Sequence, residues 1–357
     1  MTKYWSKLVN KLEPYVPGEQ PRDQQYIKLN TNESPYPPSP AVAQALKDFA
    51  ADSLRRYPDP QSGDLVAALA AYHGLKPQQV FVGNGSDEVL AHAFQAFFKQ
   101  QDKILFPDIS YSFYPVYCAL YEIEYCRIAL DAEFRIDFDG FRCANGGIIL
   151  PNPNAPTGIA LKIPEIREML ADNPESVVVI DEAYVDFGSD SASQLIPEFD
   201  NLLVVQTYSK SRNLAGLRLG FALGNENLIE ALQRIKNSFN SYPVDSLTSA
   251  IGLAALADET YFQECRRRII ASRERLATAL VELGFHVFPS SANFVFVRHP
   301  QSQAENIYLE LKAAGILVRY FNSARIDDCL RISVGSETEC EALLEALKNI
   351  LNAWGQI

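Results

Sequence analysis

The chain has 357 residues, of which 47% are hydrophobic and 21% charged, a balance typical of a globular protein with a large core. This length predicts two domains around a cleft rather than one core. The formal net charge of −12 argues against nucleic acid or an anionic membrane surface as the main partner. It leaves room for a locally basic site that binds an anionic small molecule.

The sequence shows no targeting or membrane-spanning pattern. The first 20 residues lack the apolar block of a signal peptide, and no run approaches the roughly 18 apolar residues of a membrane span. The six cysteines are scattered without a CxxC pair, which favours buried thiols over a disulfide framework or a zinc site. The four histidines show no metal-ligand spacing, so no metal is expected. We therefore expect a cytoplasmic protein.

Residues 33–40 predict an extended crossing segment near the N-terminus. Their sequence, ESPYPPSP, contains too many prolines for a helix or a central strand. Apolar residues at helical spacing follow over residues 41–50, so a helix is expected directly after the crossing.

From residue 80 to residue 225, short β-rich runs alternate with helix-length segments. This alternation predicts βαβ units that build a mostly parallel sheet with helices on both faces. Ligands of such sheets bind at the carboxyl ends of the strands, so the residues that follow each strand are candidates for function. The runs are VFVG, KILFP, GGIIL, SVVVI, NLLVVQT and LRLGFALG.

The last third of the chain predicts a smaller α+β domain, which makes the whole chain α/β in class. Residues 225–285 look mainly helical, strands are expected within 286–297 and 316–334, and helices within 303–314 and 337–353. The N-terminal segment is expected to pack with this part of the chain. The predicted units are a large domain over 46–250 and a small domain formed by 1–45 and 251–357.

A carboxylate follows a buried strand in the run SVVVIDEAYVDF. Asp181 stands at the end of that strand, where a charge is costly unless it meets a partner. It could cap a helix, which is the ordinary role of such a residue, or it could pair with a cofactor cation. Tyr184 follows three residues later, within reach of the same site.

A lysine and an arginine follow the next strand, NLLVVQT. Lys210 comes directly after it, at a position where most lysines extend into solvent. The stretch behind it places Arg218 between Gly216 and Gly220, so the backbone can approach a ligand while the guanidinium offers forked donors to a phosphate.

A glycine turn opens the helix that follows the strand VFVG. Gly83 and Gly85 permit the turn, and Ser86 and Asp87 begin the helix, whose free N–H groups form an anion site. Many strand–helix turns share this pattern, so alone it is weakly diagnostic. The sequence lacks GxxxxGK[ST] and GxGxxG patterns, and nucleotide binding is therefore not supported.

Together these groups match the needs of one cofactor, pyridoxal phosphate. The lysine would hold the cofactor covalently, the carboxylate would keep the pyridine nitrogen protonated so that the ring accepts electrons, and the anion site would hold the phosphate.

The chain resembles the fold-type I aminotransferases, and among them the histidinol-phosphate aminotransferases, over roughly residues 25 to 335. The resemblance implies a large domain with a mostly parallel sheet flanked by helices, which binds pyridoxal phosphate, and a smaller α+β domain. Its strength lies in the order of the motifs rather than in any one of them. They are LNTNESPYPPSP, RYPDP, VGNGSDE, PNPNAPTG, DEAYVDF, TYSKSRNLAGLRLGF, NSFNSYPVD, SANFVF and LRISVG.

The resemblance implies a role for each cofactor-site residue. Lys210 would be the catalytic base as well as the anchor, Asp181 would pair with the pyridine nitrogen, and Tyr184 would bond the ring hydroxyl. Tyr111 would stack on the ring, although any one of 17 tyrosines is more often a core residue. Tyr57 would reach the phosphate from the neighbouring subunit of a homodimer. The other phosphate ligands would be Gly85, Ser86, Asp87, Ser209 and Arg218.

The resemblance also implies residues that bind the substrate. Arg331 would bind the substrate anion, with Arg319 as a possible helper, and a surface salt bridge is the plain alternative for both. Candidate pocket residues are Asn32, Tyr242 and Asn293, for which turn or structural roles are the alternatives.

One motif departs from the family. The family usually has NNPTG, whose second asparagine bonds the cofactor hydroxyl, whereas this chain has NAPTG with Ala155 at that place. Asn154 is adjacent and is a candidate cofactor ligand, but neighbouring residues of an extended segment point apart. If that hydrogen bond is lost, Tyr184 would have a larger part in tuning the cofactor hydroxyl.

The implied reaction transfers an amino group between L-histidinol phosphate and 2-oxoglutarate, in histidine biosynthesis. Two alternatives share the fold, an aromatic amino-acid aminotransferase and a phosphothreonine decarboxylase. An alternative of another class is a non-catalytic regulatory protein that binds the cofactor. Such proteins often carry an appended DNA-binding domain, for which this chain has no spare length, and the basic run at 266–268 is more typical of a solvated helix face.

Overall fold

The computed structural model describes residues 3–21, 23–99 and 102–356. Over this part of the chain, strands and helices alternate between residues 80 and 225 as the sequence predicts. The strands are β1 (Ile27–Lys28), β2 (Val80–Asn84), β3 (Ile104–Pro107), β4 (Tyr125–Ile128), β5 (Ile148–Pro151), β6 (Val178–Asp181), β7 (Leu202–Thr207), β8 (Leu219–Gly224), β9 (His286–Val287), β10 (Phe294–Arg298), β11 (Ile316–Leu317), β12 (Arg319–Tyr320) and β13 (Cys329–Ser333). The α-helices are α1 (Pro40–Asp48), α2 (Gly63–His73), α3 (Gly85–Phe97), α4 (Tyr114–Tyr121), α5 (Ile163–Asp172), α6 (Glu226–Phe239), α7 (Ser246–Ala257), α8 (Glu259–Glu282), α9 (Ala304–Ala313) and α10 (Glu337–Ala353).

A seven-stranded sheet forms the centre of the molecule, in the order β2-β8-β7-β6-β5-β3-β4. Its pairs are parallel except for those of β8, which runs antiparallel to both β2 and β7. The carboxyl ends of the other strands therefore meet at one edge of the sheet, together with the start of β8. That edge is where ligands bind in sheets of this kind.

Helices cover both faces of this sheet because its strands are apolar on both sides. In β6, Val178 and Ile180 pack into one core with α2, α5 and α7, whereas Val179 packs into the other with α3 and α4. A strand that buries both faces reads as an unbroken apolar run, which is why SVVVI and NLLVVQT are so uniform. The predicted α/β class, with a mostly parallel sheet flanked by helices, is confirmed.

A second sheet is built from the C-terminal part of the chain. It is antiparallel, in the order β12-β13-β10-β9, and packs with α8, α9 and α10 around a separate core. The N-terminal strand β1 joins this region by pairing in parallel with β11, and Leu29 lies in the same core. This arrangement places β13 opposite the edge of the large sheet at which the motif residues collect.

The predicted crossing segment has no helix or strand between β1 and α1, and its end caps the helix. Ser39 Oγ accepts a hydrogen bond from Val42 N at 3.3 Å, and Pro40 is the first helical residue. Val42 packs into the same core as Leu65 and Ile251, so α1 lies against the large sheet's helices. The domain boundaries proposed from the sequence stay a prediction.

The cysteines are unpaired, and the expectation of buried thiols is right for four of them and wrong for two. Cys126 lies on β4, the edge strand of the large sheet, and Cys143 lies in a loop; both are exposed because no described element covers them.

Within residues 3–21, 23–99 and 102–356, no helix is long and apolar enough to cross a bilayer. The same residues contain no cluster of side chains suited to hold a metal ion.

Candidate active site

A cavity of about 400 Å³ lies between the carboxyl edge of the large sheet and the C-terminal sheet. It collects residues that are far apart in sequence, because the ends of β6 and β7, the start of α3 and strands β12 and β13 all face it. The predicted residues that line it are Asn32, Ser86, Asp87, Tyr111, Asp181, Tyr184, Ser209, Lys210, Arg218, Arg319 and Arg331.

Asp181 ends β6 inside the protein, with only 5% of its surface exposed. Its Oδ2 accepts a hydrogen bond from Tyr114 Oη at 2.9 Å, and its Oδ1 accepts one from Ala183 N at 3.3 Å. Burial raises the pKa of the Asp181 carboxyl to about 6 in spite of these bonds. It caps no α-helix, since a turn and a short 3₁₀ segment follow it. A buried carboxylate of this kind is best satisfied by a cation in the cavity.

Lys210 lies in the turn that follows β7, and its side chain points into the cavity rather than into solvent. Its Nζ donates a long hydrogen bond of 3.4 Å to the carbonyl oxygen of Thr31 and lies 5.7 Å from the centre of the Tyr184 ring. Among the described residues, no carboxylate oxygen lies within 4.0 Å of this amine. The amine is therefore positioned to react with a carbonyl group in the cavity.

An anion cradle forms where β8 packs against the start of α3. Gly220 lies so close to α3 that a Cβ on it would stand 2.3 Å from Ser86 N. Gly85 has a φ of +78°, and a Cβ there would stand 2.6 Å from the guanidinium of Arg218. The first amides of a helix have no partner within the helix, and its dipole favours an anion there. Ser209 adds a hydroxyl to the same side of the cavity.

Asp87 fixes the side chains around this cradle. Its Oδ2 lies 2.9 Å from Arg218 Nη2, and its Oδ1 accepts a hydrogen bond from Tyr111 Oη at 3.0 Å. Tyr117 Oη donates to the Asp87 carbonyl oxygen at 2.8 Å. The Asp87 side chain therefore orients the arginine and the tyrosine, while Tyr111 presents part of its ring to the cavity and stands edge-on to Tyr114.

Two arginines face the cavity from the C-terminal sheet. Arg319 on β12 is paired in register with Arg331 on β13. Arg331 Nη2 donates to the Asn30 carbonyl oxygen at 3.0 Å, and its buried Nε has no hydrogen-bond partner among the described residues. Burial lowers the pKa of its guanidinium. The ring centres of Phe294 and Phe321 lie 5.3 Å and 5.7 Å from the guanidinium carbon of Arg331. Neither arginine forms an ion pair with a described residue, so the pair is suited to bind an anionic ligand.

Asn32 and Asn293 occupy different places although the sequence makes both of them pocket candidates. Asn32 lines the cavity and donates from Nδ2 to Tyr184 Oη at 3.0 Å. Asn293 is buried outside the lining, where its Nδ2 donates to the Asn32 carbonyl oxygen at 3.0 Å. Asn293 thus supports the backbone of Asn32, which has the left-handed φ of 55°.

Asn154 also lies outside the cavity lining. Its Nδ2 donates to the Ile109 carbonyl oxygen and to Thr157 Oγ1, both at 3.0 Å, whereas the neighbouring Ala155 faces the cavity. The two side chains point apart, as successive residues of an extended segment do. Ala155 therefore places a methyl group where the resemblance implies an asparagine.

Tyr57 and Tyr242 lie on the surface, away from the cavity of their own chain. Tyr57 is 82% exposed and Tyr242 41% exposed, and their rings stack at a centroid distance of 4.7 Å. Phe239, at the end of α6, is 79% exposed nearby in sequence. Tyrosine and phenylalanine rings exposed in this way are typical of an interaction surface.

Several residues of the site are not identified by the sequence patterns. Tyr114 donates a hydrogen bond to Asp181, although only Tyr111 of the motif SYSFY is predicted to have a role. The available signal is that Tyr114 follows Tyr111 by three residues, at the start of a helix. Tyr15, Thr31 and Phe321 also line the cavity. They come from segments whose approach depends on how the two sheets face each other, so local sequence contains no signal for them.

The family model for aminotransferase class I and II matches residues 24–347 of the chain. The chain belongs to the class I and II aminotransferases. A curated relative from Hydrogenovibrio crunogenus is named histidinol-phosphate aminotransferase 1. It is 57% identical to this aminotransferase, and the alignment covers 98% of this chain and 99% of the relative. One of the same name from Bordetella parapertussis is 56% identical over 99% of this chain and all of the relative.

Solved structures of other aminotransferases share the fold of this one. Histidinol-phosphate aminotransferase from Sinorhizobium meliloti, solved in complex with pyridoxal-5′-phosphate, superposes with a TM-score of 0.90 at 25% identity, over 99% of each chain. A mutant aspartate aminotransferase from Thermus thermophilus gives a TM-score of 0.84 at 19% identity, which is a likeness of fold alone. The predicted fold-type I architecture and the predicted enzyme class are confirmed.

The cavity of this aminotransferase offers three kinds of partner to a bound group. The cradle at α3 suits a phosphate, the Asp181 carboxylate suits a protonated ring nitrogen, and the Lys210 amine suits a carbonyl carbon. A ligand would also satisfy two buried protein groups. One is Arg331 Nε, which has no hydrogen-bond partner among the described residues, and the other is the Asp181 carboxyl, whose pKa is raised by burial. The residues present therefore fit a phosphorylated aromatic aldehyde with a basic ring nitrogen.

Proposed function

We propose that the chain uses pyridoxal phosphate to transfer an amino group between L-histidinol phosphate and 2-oxoglutarate. The observation that carries the proposal is one cavity with a reactive lysine, a buried carboxylate and an anion cradle at one end and two arginines at the other. The names of the 50–57% identical relatives agree with this substrate.

Three side chains would hold the cofactor in place. Lys210 would bind its aldehyde carbon, Asp181 would bind the pyridine nitrogen, and Arg218 would bind the phosphate together with the first amides of α3 and Ser209. When bound, the protonated ring supplies an electron sink for the electrons that remain when the substrate Cα loses its proton.

The protein residues carry out the proton transfer and the orientation of the substrate. Asp181 keeps the ring nitrogen protonated, because a buried carboxylate is most stable beside a cation. Once the substrate amine has replaced Lys210 on the cofactor carbon, the freed Nζ would be the base that removes the proton from the substrate Cα. Arg331 and Arg319 bind the substrate anion and thereby hold Cα near that amine.

The arginine pair suits both proposed substrates, since a guanidinium binds phosphate and carboxylate oxygens alike. An aromatic amino-acid aminotransferase and a phosphothreonine decarboxylase remain the alternatives within the same chemistry. Turnover measured with histidinol phosphate, phenylalanine and phosphothreonine separates the three. A large preference for phenylalanine or phosphothreonine contradicts the proposed substrate.

We infer that the enzyme acts as a homodimer in which Tyr57 binds the phosphate of the neighbouring site. Tyr57 and Tyr242 support this, because their stacked rings are exposed on the surface away from their own cavity. Mixing two variants tests it. Lys210→Ala and Tyr57→Ala chains should each be impaired, but a mixed dimer contains one site with both residues intact, so activity should reappear after co-refolding.

A cytoplasmic location is part of the same proposal. Six unpaired cysteines, with Cys126 and Cys143 exposed, suit a reducing compartment. The exposed thiols should react with a thiol reagent in protein freshly isolated from cells, without prior reduction. Oxidised thiols in such a sample contradict the proposed location.

The cofactor is tested by absorbance. Purified protein loaded with pyridoxal phosphate should be yellow, and the band should shift when glutamate is added. A non-catalytic regulatory protein would show the band without turnover. A protein that never acquires the band contradicts the proposal as a whole.

A further inference from the structure

Asn32 lines the cavity, and its side-chain amide contacts the hydroxyl group of a neighbour that also lines it. Its Nδ2 lies 3.0 Å from Tyr184 Oη, and its three other polar groups are used by the protein. The backbone N donates to Ser333 Oγ at 2.8 Å, Oδ1 accepts from Ser333 Oγ at 3.0 Å, and the carbonyl oxygen accepts from Asn293 Nδ2. Asn32 is therefore bonded mainly to protein groups, with one of the two Nδ2 hydrogens used by Tyr184.

Ser333 sets the orientation of the Asn32 amide. The serine oxygen accepts the Asn32 backbone N–H, so its own proton is free to go to Asn32 Oδ1. The NH₂ half of the amide then faces Tyr184. Asn32 is held rigidly here, because its left-handed φ of 55° is stabilised by contacts from β13 and from Asn293.

This orientation decides what Tyr184 can do. The phenol oxygen accepts a hydrogen bond from Asn32, so its own proton must be donated to a different acceptor. Tyr184 lines the cavity beside Lys210, with 5.7 Å between its ring centre and the lysine amine. The tyrosine is therefore prepared to donate to an oxygen atom of a group held by Lys210.

Among the described residues, the segment that follows β5 presents no amide side chain to the cavity. Ala155 presents only a methyl group, and the amide of Asn154 is turned to Ile109 and Thr157. The effect of the tyrosine proton on a bound ring oxygen is thus not duplicated by an asparagine on this segment.

We propose that Asn32 is a positioning residue that makes Tyr184 an obligate hydrogen-bond donor to the ring oxygen of the cofactor, rather than a substrate-binding residue. This inference rests on the proposed function. A donor to that oxygen stabilises its negative form and so lowers the pH at which the lysine-bound cofactor deprotonates.

The segment that contains Asn32 contacts three functional residues in succession. The Asn30 carbonyl oxygen accepts from Arg331, the Thr31 carbonyl oxygen accepts from Lys210, and Asn32 donates to Tyr184. Residues 30–32 therefore set the relative positions of the substrate arginine, the lysine and the tyrosine.

The test is a pH titration of the absorbance of the loaded enzyme without substrate. Asn32→Asp keeps the shape and the bonds to Ser333 but offers Tyr184 an acceptor, so the phenol proton is drawn away from the cofactor. We expect the midpoint of the absorbance change to rise by about one pH unit or more, the size expected for one hydrogen bond to a charged group. Asn30→Asp is the matched control, since it adds the same charge to the cavity lining without touching Tyr184. Its midpoint should rise much less.

Further variants separate the hydrogen bond from the charge. Tyr184→Phe should raise the midpoint, and adding Asn32→Asp to it should change the midpoint little. Ser333→Ala, which leaves the Asn32 amide free to rotate, should raise it by a smaller amount and serves if Asn32→Asp does not fold. Ala155→Asn, which supplies an amide donor, should lower the midpoint and reduce the effect of Asn32→Asp.

An unchanged midpoint in Asn32→Asp, or equal effects in the presence and absence of the Tyr184 hydroxyl, overturns this inference alone. So does a change confined to the KM for histidinol phosphate, which would indicate substrate binding. A wild-type protein without any pyridoxal phosphate band overturns the proposed function and the inference together.

Discussion

The close contact between Gly220 and the start of α3 predicts a strong effect of one methyl group. A Cβ at Gly220 would stand 2.3 Å from Ser86 N and 2.4 Å from the Gly85 carbonyl carbon. Ordinary contact begins at 3.4 Å, so Gly220→Ala must move the two backbones apart by about 1.1 Å, the difference between 3.4 and 2.3 Å. Both partners are main chain in regular elements, and neither can rotate away.

Two consequences are expected from that movement. Overpacking of this kind typically costs about 1–3 kcal/mol, and we expect the upper part of that range because no flexible side chain can yield. The shift also displaces the α3 amides from the phosphate position, and a misplacement of about 1 Å can cost on the order of a hundredfold in function. The affinity for pyridoxal phosphate should fall at least about tenfold, which corresponds to about 1.4 kcal/mol.

Gly216 provides the matched control, because it lines the same cavity on the other side of Arg218. A Cβ there would have no atom within 4 Å, so Gly216→Ala should change stability by no more than about 0.5 kcal/mol. Urea unfolding of the cofactor-free proteins and fluorescence titration with pyridoxal phosphate measure both effects. If the two variants behave alike in both assays, the argument from backbone contact is refuted.

Three further substitutions test the site and its support. The cofactor-free wild type should lose stability as the pH rises from about 4 to about 6, because burial raises the pKa of the folded Asp181 carboxyl from 3.8 to about 6. Asp181→Asn should therefore gain stability relative to the wild type over that range; an equal difference in the free energy of unfolding between the two proteins at both pH values contradicts this. Lys210→Ala should lose the yellow band and turnover, whereas the exposed Lys76→Ala keeps both; normal transamination by the first variant refutes the mechanism. Arg273→Met should cost about 2–4 kcal/mol in urea unfolding, since it leaves two buried carbonyl oxygens unpaired, and the exposed Arg267→Met on the same helix should cost little; equal losses contradict this.

The sequence is sufficient to predict the elements that carry the chemistry. Uniform apolar runs predict buried strands irrespective of their neighbours, and residues that follow them must lie at a sheet edge. For this reason the order of strands and motifs alone assigns Asp181, Lys210 and Arg218 to one site, and all three line the same cavity. The glycine turn before α3 is equally readable, because a positive φ at Gly85 is a local requirement.

Local patterns are weaker guides where two chain segments meet. Gly216 and Gly220 look alike in the sequence, yet only Gly220 packs against another backbone. Asn32 and Asn293 are both pocket candidates by their motifs, but one lines the cavity and the other supports it from behind. Such differences depend on the direction from which a neighbour approaches, which residue type and spacing do not encode.

The sequence by itself determined the fold class, the family and the chemical groups available for catalysis, since these follow from periodicity and from motifs that are local in the chain. Only the tertiary structure decided how those groups are connected. The hydrogen bonds from Asn32 to Tyr184 and Ser333 join residues 152 and 301 positions apart, and the pairing of β12 with β13 brings Arg319 opposite Arg331. The physical reason is that hydrogen bonds extend over about 3 Å, so the partner of each group is fixed only when the C-terminal sheet lies against the carboxyl edge of the large sheet.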